Sequence, residues 1–461
     1  MAEERSYTTA QALGLGAGAA AFAYTLLGPP IGSLTPDAQR ALGVTLLMSA
    51  WWLTEALPIW VTAMLPIVLL PLLGLGESNE VTSSYGNHFI FLFMGGLFIA
   101  SAMERWGLHR RLALYIIRVV GSAPRRLILG FMVATAFLSM WISNTASTMM
   151  VFPIAMAVLS RVSGADPARS GGARTLMLSI CYGANIGGIA TLIGTPTNVI
   201  FASVLHAVYP QAPEIGFVEW FRMGLPFVVI FIPIAWALLV FVVGRADWEA
   251  ADIPRGVIRE ELRALGPITA PERRVLIVFV ATALLWIFRR PIDVGFARIP
   301  GWSAIFPVPG AVADATVSMF SATILFLLPA GRGARGRILE WEFARQIPWG
   351  ILMLLGGGFA LAGAFERTGL SAQIGHLLEV FGSIPTIGLV LAVSLVMTFL
   401  TEVTANASTT AVMLPILAAT ATNLGIHPFL LMIPATLSAS CAFMLPVATP
   451  PNAIVFGSGY V

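Results

Sequence analysis

The sequence is short of charge, contains no lysine and has only two cysteines. Charged residues make up 11% of the 461 positions and hydrophobic residues 57%, whereas a typical soluble domain carries roughly 25% charged residues. This balance excludes an ordinary globular protein. Cys181 and Cys441 both lie in apolar surroundings, so the sequence has neither a disulfide framework nor the ligand spacing of a metal site.

The motifs of several other function classes are missing as well. All cations are arginines, the net charge is +3, and no aromatic and basic surface domain accompanies them, so the composition does not indicate nucleic-acid binding. No HExxH, GxSxG or paired Asp or Ser/Lys arrangement occurs in the apolar runs, which argues against an intramembrane enzyme. No Walker A sequence is present, so ATP bound by this chain does not drive transport.

What the sequence has instead is a series of long apolar runs. A membrane-spanning helix needs roughly 20 such residues, and the first run is followed by many others, so it is a first span and not a cleaved signal peptide. The predicted fold class is an all-α polytopic membrane protein with a cytoplasmic N-terminus. Continuous spans are expected near 10–28, 42–56, 61–74, 89–104, 222–243, 275–288, 303–329 and 348–364.

Part of the sequence is repeated at a long offset. Asn144 matches Asn406, 262 positions later, and Thr195-Pro196-Thr197-Asn198 matches Thr449-Pro450-Pro451-Asn452 at an offset of 254. Two copies of so long a unit in so apolar a chain indicate a transporter built from internal repeats. Further pairs at the offset of 262 are Gly95-Gly96 with Gly357-Gly358, Glu104-Arg105 with Glu366-Arg367, Gly107-Leu108 with Gly369-Leu370, and Pro153-Ile154 with Pro415-Ile416.

Each copy contains a hairpin and an interrupted span. Polar clusters break the apolar segments 127–160 and 387–421, which predicts two re-entrant helical hairpins. The spans 176–204 and 428–461 are interrupted by Gly194-Thr195-Pro196 and by Thr449-Pro450-Pro451. Such breaks free backbone groups, and a membrane tolerates them only where they are buried or line a cavity.

Arginine is distributed unevenly, which predicts that the repeats are inverted. Positions 105–175 contain nine arginines and positions 367–437 only Arg367. Because positive residues favour the cytoplasmic side, hairpin 127–160 is expected to open inward and hairpin 387–421 outward. The predicted organisation is N-terminal scaffold helices in 1–88, a first repeat in 89–244, a cytoplasmic linker in 245–274, and a second repeat in 275–461, which lacks a final helix matching 222–243.

Polar residues cluster at matching places beside both interruptions. The clusters are Ser139, Ser143 and Asn144 near Gly194, and Thr401, Thr404 and Asn406 near Ala448. Carbonyl, hydroxyl and amide oxygens suit a hard cation such as Na⁺, while helix N-termini and hydroxyls suit a carboxylate. The alternative is that these side chains only bond helices to one another. Glu402, whose counterpart is Met140, lies outside the symmetric site and is interpreted as hydrogen-bonded and structural.

At these residues the sequence resembles the divalent anion:sodium symporter family of dicarboxylate, citrate and sulfate transporters. The resemblance covers nearly the whole chain. It is carried by Trp52-Leu53-Thr54-Glu55-Ala56-Leu57-Pro58, Ser143-Asn144-Thr145, Gly194-Thr195-Pro196-Thr197-Asn198, Thr401-Glu402-Val403-Thr404, and Leu445-Pro446-Val447-Ala448-Thr449-Pro450-Pro451-Asn452.

The resemblance implies a homodimer in which a transport domain moves as an elevator against a fixed scaffold. It implies a first sodium site of Ser139, Ser143, Asn144 and Gly194, and a second of Thr401, Thr404, Ala405, Asn406 and Ala448. A dicarboxylate would be held by Asn144, Thr145, Asn406 and Thr449. Family members carry Ser-Asn-Thr in both hairpins, whereas the second hairpin here reads Ala405-Asn406-Ala407.

The interpretation is a secondary active transporter of the cell inner membrane that imports a C4-type dicarboxylate such as succinate together with Na⁺. The expected partners are the dicarboxylate, sodium ions, the lipid membrane and a second copy of the chain. Within the same fold, an exchanger of dicarboxylate or citrate and a sulfate carrier are alternatives. A channel or a non-transporting membrane receptor is the alternative from a different class.

Overall fold

The structure, a computed structural model, describes residues 7–121, 123–161, 171–244, 256–293, 298–331, 335–377 and 384–461. Its helices are α1 (Thr9–Leu27), α2 (Pro36–Thr54), α3 (Ile59–Thr62), α4 (Leu65–Leu72), α5 (Ser78–Ser83), α6 (His88–Arg105), α7 (Leu108–Val120), α8 (Pro124–Ser139), α9 (Asn144–Leu159), α10 (Gly171–Gly188), α11 (Pro196–Val208), α12 (Phe217–Leu238), α13 (Val257–Ala264), α14 (Ala270–Ile287), α15 (Asp314–Leu327), α16 (Trp341–Ala344), α17 (Trp349–Thr368), α18 (Leu370–Leu377), α19 (Thr386–Thr401), α20 (Asn406–Asn423), α21 (Phe429–Ala439) and α22 (Pro450–Phe456). In the described part, strands are confined to an antiparallel pair, β1 (Ile292–Asp293) and β2 (Arg298–Ile299).

Four helical stretches in the described residues are long and apolar enough to cross a membrane: Thr9–Leu27, Ser78–Arg105, Phe217–Val243 and Trp349–Thr368. The expected span 303–329 is wrong over residues 303–313, because α15 begins only at Asp314 and short 3-10 turns precede it. Pro307, Pro309 and Gly310 interrupt that stretch, since proline cannot continue a helix and glycine weakens one. The linker 245–274 contains α13, whose residues Val257 and Ile258 are buried, and its first part, 245–255, lies outside the described residues.

The two copies fold into the same succession of helices. α6 to α11 correspond in order to α17 to α22, and α8 with α9 forms hairpin 1 while α19 with α20 forms hairpin 2. The backbone conformation explains one of the glycine pairs shared by the two copies. Gly107 (φ 71°) and Gly369 (φ 68°) both adopt the left-handed conformation between the first two helices of their copy, where a side chain would be strained.

The chain divides into two compact units, each discontinuous in sequence. The hairpin-1 unit comprises Phe91–Thr195, Ile215–Ile347 and Thr449–Val461. The hairpin-2 unit comprises Met1–Ile90, Pro196–Glu214 and Pro348–Ala448. Both interrupted helices therefore change unit at their break: α10 belongs to the hairpin-1 unit and α11 to the hairpin-2 unit, while α21 belongs to the hairpin-2 unit and α22 to the hairpin-1 unit.

The core of each unit includes the second half of the other copy's broken helix. In the hairpin-1 unit, Phe131, Ile154 and Ile180 form a buried cluster that Val455 of α22 joins. In the hairpin-2 unit, α11 packs against α17, α20 and α21, and its Phe201 is fully buried with its ring 5.9 Å from that of Phe429. Burial of these apolar side chains fixes where each broken helix resumes.

Candidate functional site

The tip of hairpin 1 is a capped helix start. α8 ends at Ser139, and α9 begins at Asn144 after a short turn. Ser143 is the N-cap of α9, and its hydroxyl oxygen accepts a hydrogen bond from the backbone N–H of Ala146 at 3.2 Å. This bond satisfies one of the free donors of the first turn, at the end of the helix that carries a positive partial charge.

Three oxygens converge at the base of this tip. The Oγ of Ser139 lies 2.6 Å from Oδ1 of Asn144 and 2.7 Å from the main-chain carbonyl oxygen of Ala184. Ser139 is completely buried. Because a hydroxyl carries one hydrogen, it can satisfy only one of these two acceptors. Three neutral oxygens this close together are the kind of donor set that a hard cation binds.

The broken helix closes on the tip through two glycines. A Cβ at Gly188 would lie 2.5 Å from Oδ1 of Asn144, and a Cβ at Gly194 would lie 2.4 Å from the carbonyl oxygen of Gly188. Only glycine permits both approaches. The break Ile189–Thr195 is buried throughout, and the hydroxyl of Thr191 donates a hydrogen bond to the carbonyl of Met140 in the hairpin turn. The predicted residues Ser139, Asn144 and Gly194 therefore lie together.

The hairpin-2 unit contains a second cluster of the same composition. The Oγ1 of Thr401 lies 2.5 Å from Oδ1 of Asn406 and 2.9 Å from the carbonyl oxygen of Ala439. Thr401 is the last residue of α19 and Asn406 the first of α20, so both hold the same places as Ser139 and Asn144 in hairpin 1. The two clusters match atom for atom: a hydroxyl, an amide oxygen and a main-chain carbonyl.

The second tip differs in its capping. Ala405 is the N-cap of α20 and offers no side-chain hydrogen bond, where Ser143 caps α9. The Oγ1 of Thr404 donates to the carbonyl of Leu400 at 2.7 Å and lies 2.5 Å from Oγ1 of Thr409. Thr404 is thus bound within the hairpin, and Ala448 lies buried at the end of the second break.

Thr449, the N-cap of α22, belongs to the hairpin-1 unit. Its Oγ1 accepts from the backbone N–H of Asn452 at 3.4 Å and from Nδ2 of Asn185 at 3.3 Å. A hydroxyl oxygen has two lone pairs, so both are used and the hydroxyl hydrogen of Thr449 points away from these donors. That hydrogen can be given to an anion.

Thr145 is a candidate substrate-binding residue whose hydroxyl is available for a ligand. It is the second residue of α9 and half-buried, and among the described residues its hydroxyl makes no hydrogen bond. The matching position in hairpin 2 is Ala407, which has no hydroxyl. The substrate candidates therefore divide into Asn144, Thr145 and Thr449 in the hairpin-1 unit and Asn406 in the hairpin-2 unit.

Sequence reasoning missed several contributors. The carbonyls of Ala184 and Ala439 complete the clusters, and neither residue carries a side-chain signal. Asn185 is fully buried on α10 beside Thr449; a buried amide in an apolar helix could have been noticed. Glu402 has the hydrogen-bonded character expected for it, since its carboxylate accepts three backbone N–H groups from Phe443–Leu445.

A helical protein with two hairpins, two broken helices and matched clusters of neutral oxygens belongs to the class of membrane transporters built from internal repeats. The chain belongs to the family described as sodium:sulfate symporter transmembrane region, which matches residues 10–461.

Relatives similar over the whole chain agree with this assignment, and one solved structure shares the fold. A sodium-dependent dicarboxylate transporter of Staphylococcus saprophyticus is 39% identical over 100% of this chain and 88% of its own length. The transporter of the same name from Staphylococcus aureus is 40% identical over 100% of this chain and 87% of its own. The crystal structure of the Alcanivorax borkumensis YdaH transporter shares the fold, with a TM-score of 0.57 over 90% of both chains at 14% identity.

Proposed function

We propose that this protein is a secondary active transporter that imports a C4-type dicarboxylate together with Na⁺. The observation that carries the proposal is the pair of matched hydroxyl, amide and carbonyl clusters, one in each unit. The two relatives described above are named sodium-dependent dicarboxylate transporters, which supports the choice of both ligands. The protein acts in the cell inner membrane as a homodimer, with the elevator movement that its family resemblance implies.

Each cluster binds one sodium ion. Ser139, Ser143, Asn144 and Gly194 supply oxygens to the first, and all four lie in the hairpin-1 unit. Thr401, Thr404, Ala405, Asn406 and Ala448 supply the second, and all five lie in the hairpin-2 unit. Neutral oxygens suit a monovalent hard cation, because they solvate the charge without a carboxylate ligand that favours a divalent ion.

The dicarboxylate is held by hydrogen-bond donors that carry no formal charge. The Nδ2 groups of Asn144 and Asn406 are free to donate when their oxygens face sodium, and Thr145 and Thr449 offer hydroxyl hydrogens. The N-terminus of α9 adds a positive partial charge. Since no arginine is among these residues, bound Na⁺ supplies the positive charge that the anion needs. The anion therefore binds well only after sodium, which couples the two ligands.

Uptake of labelled succinate into proteoliposomes tests this function. An inward Na⁺ gradient should drive accumulation above the external concentration, and collapse of the gradient should stop it. Uptake that requires internal dicarboxylate and ignores Na⁺ would indicate the exchanger, and strong competition by sulfate would indicate the sulfate carrier. Equilibration without accumulation would indicate a channel, and no flux at all would favour a receptor.

Opposite orientation of the hairpins is part of the proposal, and the repeat supplies a matched pair of positions to test it. Ser160 at the end of α9 and Thr422 near the end of α20 are counterparts, and both are exposed. After Cys181 and Cys441 are replaced, Thr422→Cys should react with a membrane-impermeant thiol reagent in intact cells. Ser160→Cys should react only once the cells are opened, and equal labelling of both from outside would contradict inversion.

A further inference from the structure

Glu402 is a buried acid that the first copy lacks. It follows Thr401 directly, forms the C-cap of α19 and is 3% exposed. Its counterpart Met140 forms the C-cap of α8. A carboxylate in this position requires compensation, because burial of an unpaired charge is strongly unfavourable.

The compensation comes from three consecutive backbone N–H groups. Oε1 of Glu402 accepts from Phe443 at 2.8 Å and from Met444 at 3.0 Å, and Oε2 accepts from Leu445 at 2.8 Å. Successive N–H groups of this kind form a concave anion-binding nest. Bonds from N–H groups to a carboxylate are charge-assisted and stronger than neutral ones. The acid thus fills an anion site made by the backbone of the second break.

This part of the break is more exposed than its counterpart in the first copy. Met444 is 54% exposed and Val447 is 80% exposed, whereas the first break is buried throughout. The first break is tied by the hydroxyl of Thr191 to the carbonyl of Met140. Thr191 and Leu445 are repeat counterparts at the offset of 254, as Met140 and Glu402 are at 262. The same two positions are therefore joined in both copies, by a neutral bond in one and a carboxylate in the other.

We propose that Glu402 is a positioning residue for the second sodium site, an inference that rests on the proposed function. Its backbone belongs to the hairpin tip that carries Thr401 and Asn406, and its side chain holds the break that ends at Ala448. It thereby fixes the cluster and the Ala448 carbonyl in one geometry. It also places a carboxylate beside the second cluster, whereas the matching residue beside the first cluster is the uncharged Met140. The two sodium sites consequently respond differently to the loss of this residue.

The first experiment measures sodium dependence of succinate uptake in proteoliposomes for Glu402→Gln. Glutamine keeps the shape but removes the charge and one acceptor, so the Na⁺ concentration for half-maximal uptake should rise by about tenfold or more, with a lower Hill coefficient. Glu366→Gln is the control, because Glu366 is an exposed acid of the same unit bound to Ser371. Wild-type protein without Na⁺-driven uptake would refute the proposed function itself. Normal wild-type uptake with unchanged sodium dependence in Glu402→Gln would overturn this inference alone.

The second experiment measures the accessibility of the second break without a transport assay. In detergent-purified protein lacking Cys181 and Cys441, Val447→Cys should react with a thiol reagent several times faster when Glu402→Gln or Glu402→Asp is added, and Na⁺ should protect it less. Aspartate keeps the charge but is one methylene too short to reach the nest. A monodisperse gel-filtration profile checks folding of each variant. Labelling rates equal to those of the parent for both substitutions would also overturn the inference.

Discussion

The two oxygen clusters use the same three oxygen types, yet the structure around them differs at almost every point. Hairpin 1 has a serine cap, glycines at 188 and 194, and a break that is buried throughout. Hairpin 2 has an uncapped start, alanines at the matching positions 442 and 448, and a partly exposed break held by Glu402.

Contacts farther from the clusters also differ between the copies, with an ion pair in the first and neutral hydrogen bonds in the second. Arg111 in the first copy forms a buried ion pair with Glu272 at 3.0 Å. Its counterpart Gln373 makes neutral hydrogen bonds with Thr35, the shorter of them 3.0 Å. Under the proposed function, the chemistry of sodium constrains the oxygens that would contact it, whereas any set of residues that holds those oxygens in place can support them. Substitutions at matched positions can therefore distinguish residues that contact the ligands from residues that only hold those contacts in place.

The largest effect is expected at the shared contact, the two asparagines. Asn144→Ala and Asn406→Ala should each abolish Na⁺-driven uptake, by at least about 100-fold, because each loses an oxygen for the cation and an N–H for the anion and a bond to a charged group is worth roughly 1.5–3 kcal/mol. Uptake assays with gel filtration measure this, and Asn423→Ala, which removes only a bond to the carbonyl of Ala372, is the control. Near-normal transport in either variant would show that the cluster containing that asparagine does not bind the transported ligands.

A support that only the first copy needs is the glycine at 188. Gly188→Ala would place a Cβ 2.5 Å from Oδ1 of Asn144, so the amide must move out of its cluster. Half-maximal Na⁺ should then rise at least about tenfold. Ala442→Gly is the matched change in the second copy and should cost no more than about 1 kcal/mol of stability. Sodium dependence is read from uptake, and equal effects of both substitutions would refute the difference in backbone approach.

The charged anchor of the first copy predicts a pH dependence that the neutral anchor lacks. Burial raises the pKa of Glu272, but hydrogen bonds from Arg111 and from the N–H of Thr269 outweigh it, so the pKa lies below the ordinary value of 4.5. A lowered folded pKa gives stability that is present above the unfolded value and lost as the pH falls through the folded one.

Glu272→Gln should lower the free energy of unfolding at neutral pH by up to about 3–5 kcal/mol, since Arg111 loses its carboxylate and keeps only neutral acceptors such as the carbonyl of Gly266. The loss should shrink when the pH is lowered from 6 to below 4.5. Thermal unfolding in detergent measures both, with Gln373→Ala as the control that should show a smaller loss and no such trend. A loss that stays constant with pH would show that the charge of Glu272 is not what stabilises the contact.

The smallest effect is expected where the second copy lacks a hydroxyl. Ala407→Thr adds the counterpart of Thr145 and should tighten succinate binding or change the preference among dicarboxylates, by about 0.5–1.5 kcal/mol, the net value of one added hydrogen bond. Ala405→Ser is its control, because a restored N-cap, worth about 1 kcal/mol, should act mainly on Na⁺ affinity. Binding measured with each ligand separates the two, and unchanged affinities in both would place these positions outside the site.

The positions of the hairpin helices and breaks could be read from the sequence, because proline, glycine and asparagine mark them locally. The helices Pro124–Ser139 and Asn144–Leu159 coincide with the segment 127–160, and Thr386–Thr401 and Asn406–Asn423 with 387–421. The third oxygen of each cluster could not be predicted from the sequence, since it is a main-chain carbonyl, of Ala184 or Ala439, and every residue has one. The division of the chain into units was equally hidden, because it depends on which apolar surfaces meet and not on any local pattern.

Because α11 and α22 each complete the core of the unit that holds the other copy's hairpin, neither copy is a self-sufficient folding module. A chain with a single copy could bury these surfaces only by exchanging its last segment with a second chain. Duplication and fusion of such a gene would convert an exchanged dimer into one polypeptide. It would also free the two halves to diverge, so that the two tips could come to differ by one acid and two hydroxyls.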